Sequence, residues 1–152
     1  MRRQPRSNNW RLPCPIVPAG STLIGNQMPR RGEIWTTNLG SPPISHWVLV
    51  VSLDERNLSD RRDSVLIVPL SSSGPEGATV IQLPPGETGL PGPSYVKGHF
   101  IQTLPKRSLL NRERRILYGA RMREVTVAIR RSFDPDAPWP GQQPPFAGQL
   151  RK

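Results

Sequence analysis

Two histidines and one lysine are the side chains of this chain that are best suited to proton-transfer chemistry. His46 begins an apolar stretch, and Lys97 and His99 lie close together in "SYVKGHFIQTL". Imidazole has an unperturbed pKa near 6.5, so it can give or take a proton at neutral pH. Two such groups and a cation would suffice to cleave RNA without a metal. One would be the base for the ribose 2′-hydroxyl, one the acid for the departing 5′-oxygen, and the ammonium would offset the growing phosphorane charge.

The composition argues against several other kinds of site. Cys14 is the only cysteine, which excludes an intramolecular disulfide and a cysteine-based metal site. The sequence has no phosphate-binding glycine loop and no nucleophile-elbow pattern around a serine. No apolar run reaches the roughly 18 residues of a spanning helix, and the N-terminal stretch lacks the apolar centre of a signal peptide. We therefore expect a cytoplasmic protein with no cofactor, no bound metal and no membrane association.

The charge of the chain favours a polyanionic partner. The formal net charge is +10, and residues 28–133 hold 15 basic against 9 acidic side chains. Such an excess attracts nucleic acid or an acidic protein segment over a long range. Alternatively, a genome rich in arginine codons would produce a basic protein without any such partner, and the charge alone does not exclude this explanation.

The two ends of the chain differ from its middle. Residues 1–27 mix Pro, Asn, Arg and Ser without periodicity, and we expect a disordered arm there, or an artefact of a start codon upstream of Met28. Residues 134–152 hold five prolines and predict an extended, disordered tail. Residues 28–133 remain as one domain.

Short β-rich runs dominate this domain. They predict strands at 32–39, 46–53, 64–70, 79–84 and 94–104, and a short last strand at 115–122. Pro69 should confine its strand to an edge or a strand end, because proline cannot donate to the ladder. Met122, Val125, Ile129 and Phe133 recur at helical spacing. The expected fold is a small, mostly antiparallel barrel of five to six strands that closes on a C-terminal helix.

On the predicted strand 94–104, Lys97 and His99 would lie on the same face. Side chains alternate between the two faces of a strand, so residues two apart point the same way.

The order of the segments resembles the MazF/PemK family of toxins from bacterial toxin–antitoxin systems. The likeness runs through residues 28–133 and rests on "PRRGEIWTTNLG", "WVLVVSLDERN", "VLIVPLSSS", "LPPGETGLPGPSYVKGHFIQTLPKRSL" and "REVTVAIRRSF". The resemblance implies an SH3-like, MazF/CcdB-like barrel and a homodimer. It also implies a ribonuclease that cuts single-stranded RNA without a metal, and an antitoxin whose flexible acidic segment occupies the RNA groove.

The resemblance also implies roles for individual residues. His46 stands where the family usually has a catalytic arginine, and Ser71 where it has a threonine. His99 occupies the position of an acidic residue in the family, and Gln102 occupies that of an arginine. Lys97 occupies a position where some members have an arginine that serves as a catalytic cation. On this basis His99 is the general base, His46 the general acid or a phosphate contact, Lys97 the charge stabiliser and Ser71 a phosphate hydrogen-bond donor. The two histidines could exchange roles.

The RNA-binding set is predicted to comprise four residues: Arg31, Trp47, Gln102 and Ser72. Trp47 would stack on a base if it is exposed, whereas its apolar neighbours favour a position in the core.

Three alternatives stay open. The histidines and Ser71 could be ordinary surface, structural and turn residues. Because a histidine lacks the permanent charge and the bidentate grip of an arginine, the chain could be an inactive module that binds RNA or an antitoxin. A CcdB-like gyrase inhibitor would need a tryptophan at the end of the last helix, but Trp139 lies in the proline-rich tail.

Overall fold

The computed structural model describes residues 28–140; the predicted arm and the tail beyond residue 140 lie outside this range. The strands are β1 (Glu33–Leu39), β2 (Ile44–Val50), β3 (Ser64–Ser71), β4 (Val80–Leu83), β5 (Ser94–Lys97), β6 (Gln102–Pro105) and β7 (Arg112–Ile116). The helices are α1 (Asp54–Asn57), α2 (Pro85–Thr88) and α3 (Gly119–Arg130), and 3₁₀ turns lie at Gly98–Phe100 and Lys106–Ser108. No helix in this part of the chain is long and apolar enough to cross a membrane.

The strands form one antiparallel sheet in the order β4-β5-β3-β2-β1-β7. The first half of β3 pairs with β6 and its last residues pair with β5, so both partners lie along the same edge of β3. The sheet curls into a half-barrel, and α3 follows the last strand. This architecture confirms the predicted mostly antiparallel barrel with a C-terminal helix.

The core has one layer on each face of the sheet. On one face, apolar side chains of the central strands pack against Met122, Val125 and Ile129 of α3. On the opposite face, Trp35, Val48, Val50, Val65 and Ile67 form the second layer. The second half of β2, Val48–Val50, is buried on both faces, as its continuous apolar run predicts.

Phe133, which was predicted to belong to the apolar stripe of the helix, lies beyond the end of that helix. The helix ends at Arg130, and Phe133 is 69% exposed, so its assignment to the apolar face was wrong.

The central position of β3 corrects the prediction for Pro69. Strand β3 has neighbours along both edges, yet β6 pairs only as far as Ile67 and β5 pairs from Leu70. Pro69 lies in the gap between these two partners. A residue without an N–H therefore costs no ladder hydrogen bond on that edge.

The predicted strand 94–104 is broken, so the prediction that Lys97 and His99 share one strand face was wrong. Val96 pairs with Leu70 and Gln102 pairs with Ile67, and residues 98–101 lie outside the ladder. The break lies against α3, because a Cβ at Gly98 would come within 2.8 Å of the Ala128 carbonyl carbon. Only glycine allows this turn and the helix to approach so closely.

The last strand begins earlier than predicted. Strand β7 covers Arg112–Ile116 and not 115–122, and α3 already starts at Gly119. Strand β7 is an edge strand in which four of the five residues are charged. Charged edge strands hinder pairing with another chain, and their charge also hides the alternation that marks other strands.

Strand β1 begins with a buried carboxylate. Glu33 is 1% exposed, and its oxygens accept hydrogen bonds from Arg112 Nη1 (2.9 Å), Trp35 Nε1 (3.0 Å) and the Arg30 N–H (2.9 Å). These contacts tie the edge strand β7 to β1 and to the residues that precede it.

Candidate active site

Three strand ends meet at one end of the sheet: the start of β2, the end of β3 and the start of β5. Val48 lies opposite Pro69, and continuing this register by two residues places His46 opposite Ser71. Ser71 itself pairs with Tyr95. The register therefore brings His46 and Ser71, two of the predicted catalytic residues, to the same end and the same face of the sheet.

Lys97 belongs to this face. Val96 points into the core beneath α3, so alternation directs Tyr95 and Lys97 to the opposite face, the one that carries Ser71. The lysine extends along the β3–β4 loop, residues 72–79. A Cβ at Gly74 would lie 3.6 Å from its Nζ atom. An ammonium group thus lies beside the loop that follows Ser71.

The hydroxyl of Ser71 is engaged in a turn. Its Oγ donates to the Ser73 carbonyl at 2.7 Å, and the neighbouring Ser72 is exposed. A single χ1 rotation would redirect the Ser71 hydroxyl towards a phosphate, at the cost of that local bond.

His99 lies in the Gly98–Phe100 turn and is exposed. Its Nδ1 atom is 2.8 Å from Thr79 Oγ1, and its ring centroid is 4.5 Å from that of Phe100. The contact with Thr79 orients the ring and leaves Nε2 for a second partner. No sequence signal indicated Thr79, because the contact depends on the break in the strand.

The two histidines flank β3. The turn that carries His99 interrupts the partner strand of β3, and β2 lies on the other edge of β3. His99 contacts Thr79, which precedes β4, the strand on the outer side of β5, whereas His46 lies on the β2 side of β3. The structure thus places the two histidines on different sides of β3, and it is His46, Ser71 and Lys97 that share one end of the sheet.

The β3–β4 loop is fixed at its far end by Arg131. Nη1 of Arg131 donates to the Ala78 carbonyl at 3.0 Å, and Nε donates to the Pro138 carbonyl at 2.5 Å. Ala137 is buried. The folded domain therefore extends into the predicted tail, and this short segment after α3 supports the loop that carries Thr79.

Among the predicted RNA-binding residues, Arg31 has its guanidinium bonded inside the domain. Nη1 donates to the Val51 carbonyl, and Nη2 donates to Thr126 Oγ1 at 2.6 Å. Burial lowers the pKa of Arg31, and the nearby Asp54 carboxylate partly opposes this shift. Arg31 thus joins the end of β2 to α3.

Trp47 and Gln102 are accessible to solvent. Gln102 is exposed on β6, opposite Ile67. Trp47 is half-buried against the core beneath α3, and it also lines a pocket of about 270 Å³ together with Ser71 and Ser72. Both roles considered for Trp47, core packing and exposure to a ligand, are thus compatible with its position.

A larger pocket, of about 430 Å³, lies elsewhere, between α2, β7 and the start of α3. It contains the ion pair of Glu87 and Arg121, in which hydrogen bonds from the guanidinium lower the pKa of the carboxyl. None of the predicted catalytic residues lines it. Within residues 28–140, no three His, Cys, Asp or Glu side chains converge as the ligands of a metal ion would.

Comparison with known families identifies this fold. The family model of PemK-like, MazF-like toxins of type II toxin–antitoxin systems matches residues 30–133. The chain belongs to this family. The match covers every strand and all of α3, and it confirms the resemblance inferred from the order of the segments. It does not favour the CcdB-like alternative. Comparison with curated proteins finds no match in sequence.

Solved structures of PemK/MazF-like toxins share the fold. One is an endoribonuclease in complex with its cognate antitoxin from a mycobacterial species, with 27% identity and a TM-score of 0.60 over 74% of this chain and 99% of that chain. The Mycobacterium tuberculosis toxin MazF-mt6 has 21% identity and a TM-score of 0.56 over 67% of this chain and 96% of that chain. A MazE–MazF complex from Deinococcus radiodurans has 19% identity and a TM-score of 0.56 over 69% of this chain and 95% of that chain.

Proposed function

We propose that this chain is the toxin of a type II toxin–antitoxin system and that it cleaves single-stranded RNA without a metal. The observation that carries the proposal is the placement of His46, Ser71 and Lys97 at one end of the sheet, in a domain of this family. The mycobacterial protein with the same fold is an endoribonuclease, which supports the same reaction class here.

The proposed reaction is an internal transfer of the phosphate. The ribose 2′-oxygen loses its proton to a base and attacks the adjacent phosphorus, and the bond from phosphorus to the 5′-oxygen breaks. An acid protonates that oxygen, and the products carry a 2′,3′-cyclic phosphate and a 5′-hydroxyl.

His99 is the proposed base and His46 the proposed acid. When Nδ1–H of His99 donates to Thr79 Oγ1, Nε2 keeps the lone pair that a base needs. His46, in its protonated form, supplies the proton to the leaving oxygen. Lys97 offsets the phosphorane charge, and Ser71 donates to a phosphate oxygen after its hydroxyl rotates. The exchange of the two histidines' roles remains part of the proposal, because either imidazole can give or take a proton near neutral pH.

A basic stretch of the chain supports binding of the RNA backbone. Residues 106–123 hold seven basic side chains and one acidic side chain. Arg107, Arg114 and Arg123 are among those that are exposed. Contacts of this kind bind phosphate without reading sequence.

The proposed partners follow from the family. The mycobacterial and Deinococcus proteins were both solved with their antitoxins. For this chain we propose an antitoxin with a flexible acidic segment that competes with RNA for the basic surface, and a homodimeric toxin. Size-exclusion chromatography with light scattering tests the second point; a monomer at micromolar concentration would contradict it.

A second candidate is a binding module without nuclease activity. It is favoured by His46 at the position of the family's catalytic arginine and by the engagement of the Ser71 hydroxyl in a turn. This module would bind RNA or an antitoxin and leave RNA intact.

Incubation of the full-length chain with a long single-stranded RNA in EDTA separates the two candidates. Primer extension maps the cuts, and end analysis identifies the products. Cuts at a recurring short motif that leave 2′,3′-cyclic phosphate and 5′-hydroxyl ends are expected. Intact RNA, with a protein that is folded and still binds RNA, would refute the nuclease and support the binding module.

A further inference from the structure

We propose that Arg131 and Thr79 are positioning residues of the proposed ribonuclease. Arg131 anchors the β3–β4 loop to the segment after α3, and Thr79, at the end of that loop, sets the direction in which the His99 ring points. This inference rests on the proposed function, since it concerns the side chain that is proposed as the base. The segment after α3 thus contributes to catalysis without supplying a catalytic residue.

Thr79 holds the turn that carries His99 at two points. Its Oγ1 atom lies 2.8 Å from Nδ1 of His99, and its carbonyl accepts the Gly98 N–H at 2.8 Å. The backbone bond fixes the start of the turn, and the side-chain contact fixes the rotation of the ring. In a neutral imidazole, the partner of one ring nitrogen determines which nitrogen carries the proton. Thr79 therefore sets both the direction of the ring and the nitrogen that can act as a base.

The β3–β4 loop adjoins three of the four proposed catalytic residues. It begins directly after Ser71, and it passes over Lys97, because a Cβ at Gly74 would lie 3.1 Å from the Cε atom of that lysine. It ends at Thr79, which contacts His99. A displacement of this loop would therefore affect several groups of the proposed site together.

Arg131 connects the loop to a distant part of the chain. The hydrogen bonds that the loop makes within itself and to the adjoining strand residues span only two or three residues each. Arg131, by contrast, donates from Nη1 to the Ala78 carbonyl at 3.0 Å. Ala78 directly precedes Thr79, so this bond fixes the backbone from which the Thr79 side chain extends.

Arg131 is itself fixed at the end of α3. Its Nε atom donates to the Pro138 carbonyl at 2.5 Å, and the neighbouring Ala137 is buried. A planar guanidinium can bridge two carbonyls in this way, whereas a lysine ammonium lacks the fork. The same end of α3 packs directly against Gly98. Both sides of the contact between Thr79 and His99 are thus held relative to one helix end.

Replacement of Arg131 by methionine should slow cleavage and leave RNA binding unchanged. Misplacement of a reacting group by about 1 Å can cost about 10²-fold in rate, so the single-turnover rate at saturating RNA should fall by about 10- to 100-fold. The Kd for a 2′-O-methyl RNA, which cannot undergo attack by a 2′-hydroxyl, should stay the same. A lower rate that is fully explained by weaker RNA binding would overturn the inference.

Arg130→Met is the matched control. Arg130 directly precedes Arg131 at the end of the same helix, and its exposed guanidinium pairs with Asp134 without contacting the loop. Exposed ion pairs of this kind contribute little to stability. Arg130→Met removes the same charge and should cleave and bind RNA like wild type; an equal loss in both variants would refute the role of Arg131. Thermal melting checks folding, and Arg131→Lys replaces Arg131→Met if the latter does not fold.

A second measurement reads the ring of His99 without any need for cleavage. The chain has two histidines, so ¹⁵N NMR spectra of wild type and His46→Ala assign the ring signals of His99. At about pH 8.5, where imidazole is normally neutral, wild type should carry the ring proton on Nδ1. Thr79→Val and Arg131→Met should give a mixture of both tautomers, whereas Thr79→Ser, which keeps the hydroxyl, and Arg130→Met should not.

The spectra separate failure of this inference from failure of the proposed function. A wild-type ring with its proton on Nε2, or an unchanged ring in Arg131→Met, would overturn the inference even if cleavage slows. The expected spectra in a wild-type protein that leaves RNA intact would support the positioning of the ring and remove the nuclease. In a protein that cleaves RNA, the double variant of Thr79→Val and Arg131→Met should lose no more activity than the weaker single variant, because both act through one contact. Multiplied losses would show that Arg131 acts elsewhere.

Discussion

Replacement of Arg112 by methionine should measurably destabilise the domain, because it removes the only counter-ion in contact with Glu33 among the ion pairs of residues 28–140. The carboxylate is 1% exposed and would keep its hydrogen bonds from Trp35 Nε1 and the Arg30 N–H. Breaking a fully buried pair costs about 3 to 5 kcal/mol. The Arg112 side chain is 49% exposed, so solvent screening reduces this figure to about 2 kcal/mol.

The assay is thermal unfolding of the single and double variants. For a domain of this size about 2 kcal/mol corresponds to a fall in Tm of roughly 8 °C. Glu33→Gln removes the buried charge, so Arg112→Met should cost much less in that background. If Arg112→Met lowers Tm equally in both backgrounds, the loss comes from packing of the arginine stem and the electrostatic argument is refuted.

Three further predictions concern the site and its support. His46→Ala and His99→Ala should each slow RNA cleavage by about 10²- to 10⁴-fold in a single-turnover assay without altering thermal stability, and wild-type rates in either variant would remove that residue from the mechanism. Gly98→Ala should destabilise the domain by more than 1 kcal/mol in urea unfolding, since its Cβ would meet the backbone of α3; an unchanged midpoint would contradict the close contact. Because Arg121 lowers the pKa of Glu87, the stability from this pair is present above about pH 4.3 and is lost as pH falls below it. Arg121→Met should therefore make the free energy of unfolding depend less steeply on pH between pH 5 and pH 3. An unchanged slope would refute this prediction.

The sequence predicts the barrel well at positions where the apolar pattern alone determines which side chains are buried. The continuous apolar run at the end of β2 and the helical spacing of Met122, Val125 and Ile129 both correspond to buried positions. Strand β3 was placed correctly, although Pro69 predicted an edge or a strand end and the strand has neighbours along both edges. Local pattern determines whether a residue is buried, but the partners of a strand depend on the whole topology.

The errors arise where long-range contacts override local pattern. The break at Gly98 coincides with its contact with α3, about thirty residues later, and the isolated glycine is the local sign of it in "SYVKGHFIQTL". Strand β7 was missed because its charges are those of a solvated face. For the site, the register that places His46 opposite Ser71 could not be predicted, since it depends on how β2 pairs with β3.

The hydrogen bonds of Arg131 to the Ala78 and Pro138 carbonyls affect how the domain unfolds locally. They join the β3–β4 loop to the segment after α3, and Thr79 in turn accepts the Gly98 N–H at 2.8 Å and contacts His99. These segments lie far apart in sequence but share their hydrogen bonds, so they should open together as one cooperative unit. The amide of Gly98 should then exchange with solvent deuterium at the rate at which the C-terminal segment detaches. A proteolytic cut near Pro138 should therefore raise exchange first at the Gly98–Phe100 turn, on the far side of the loop.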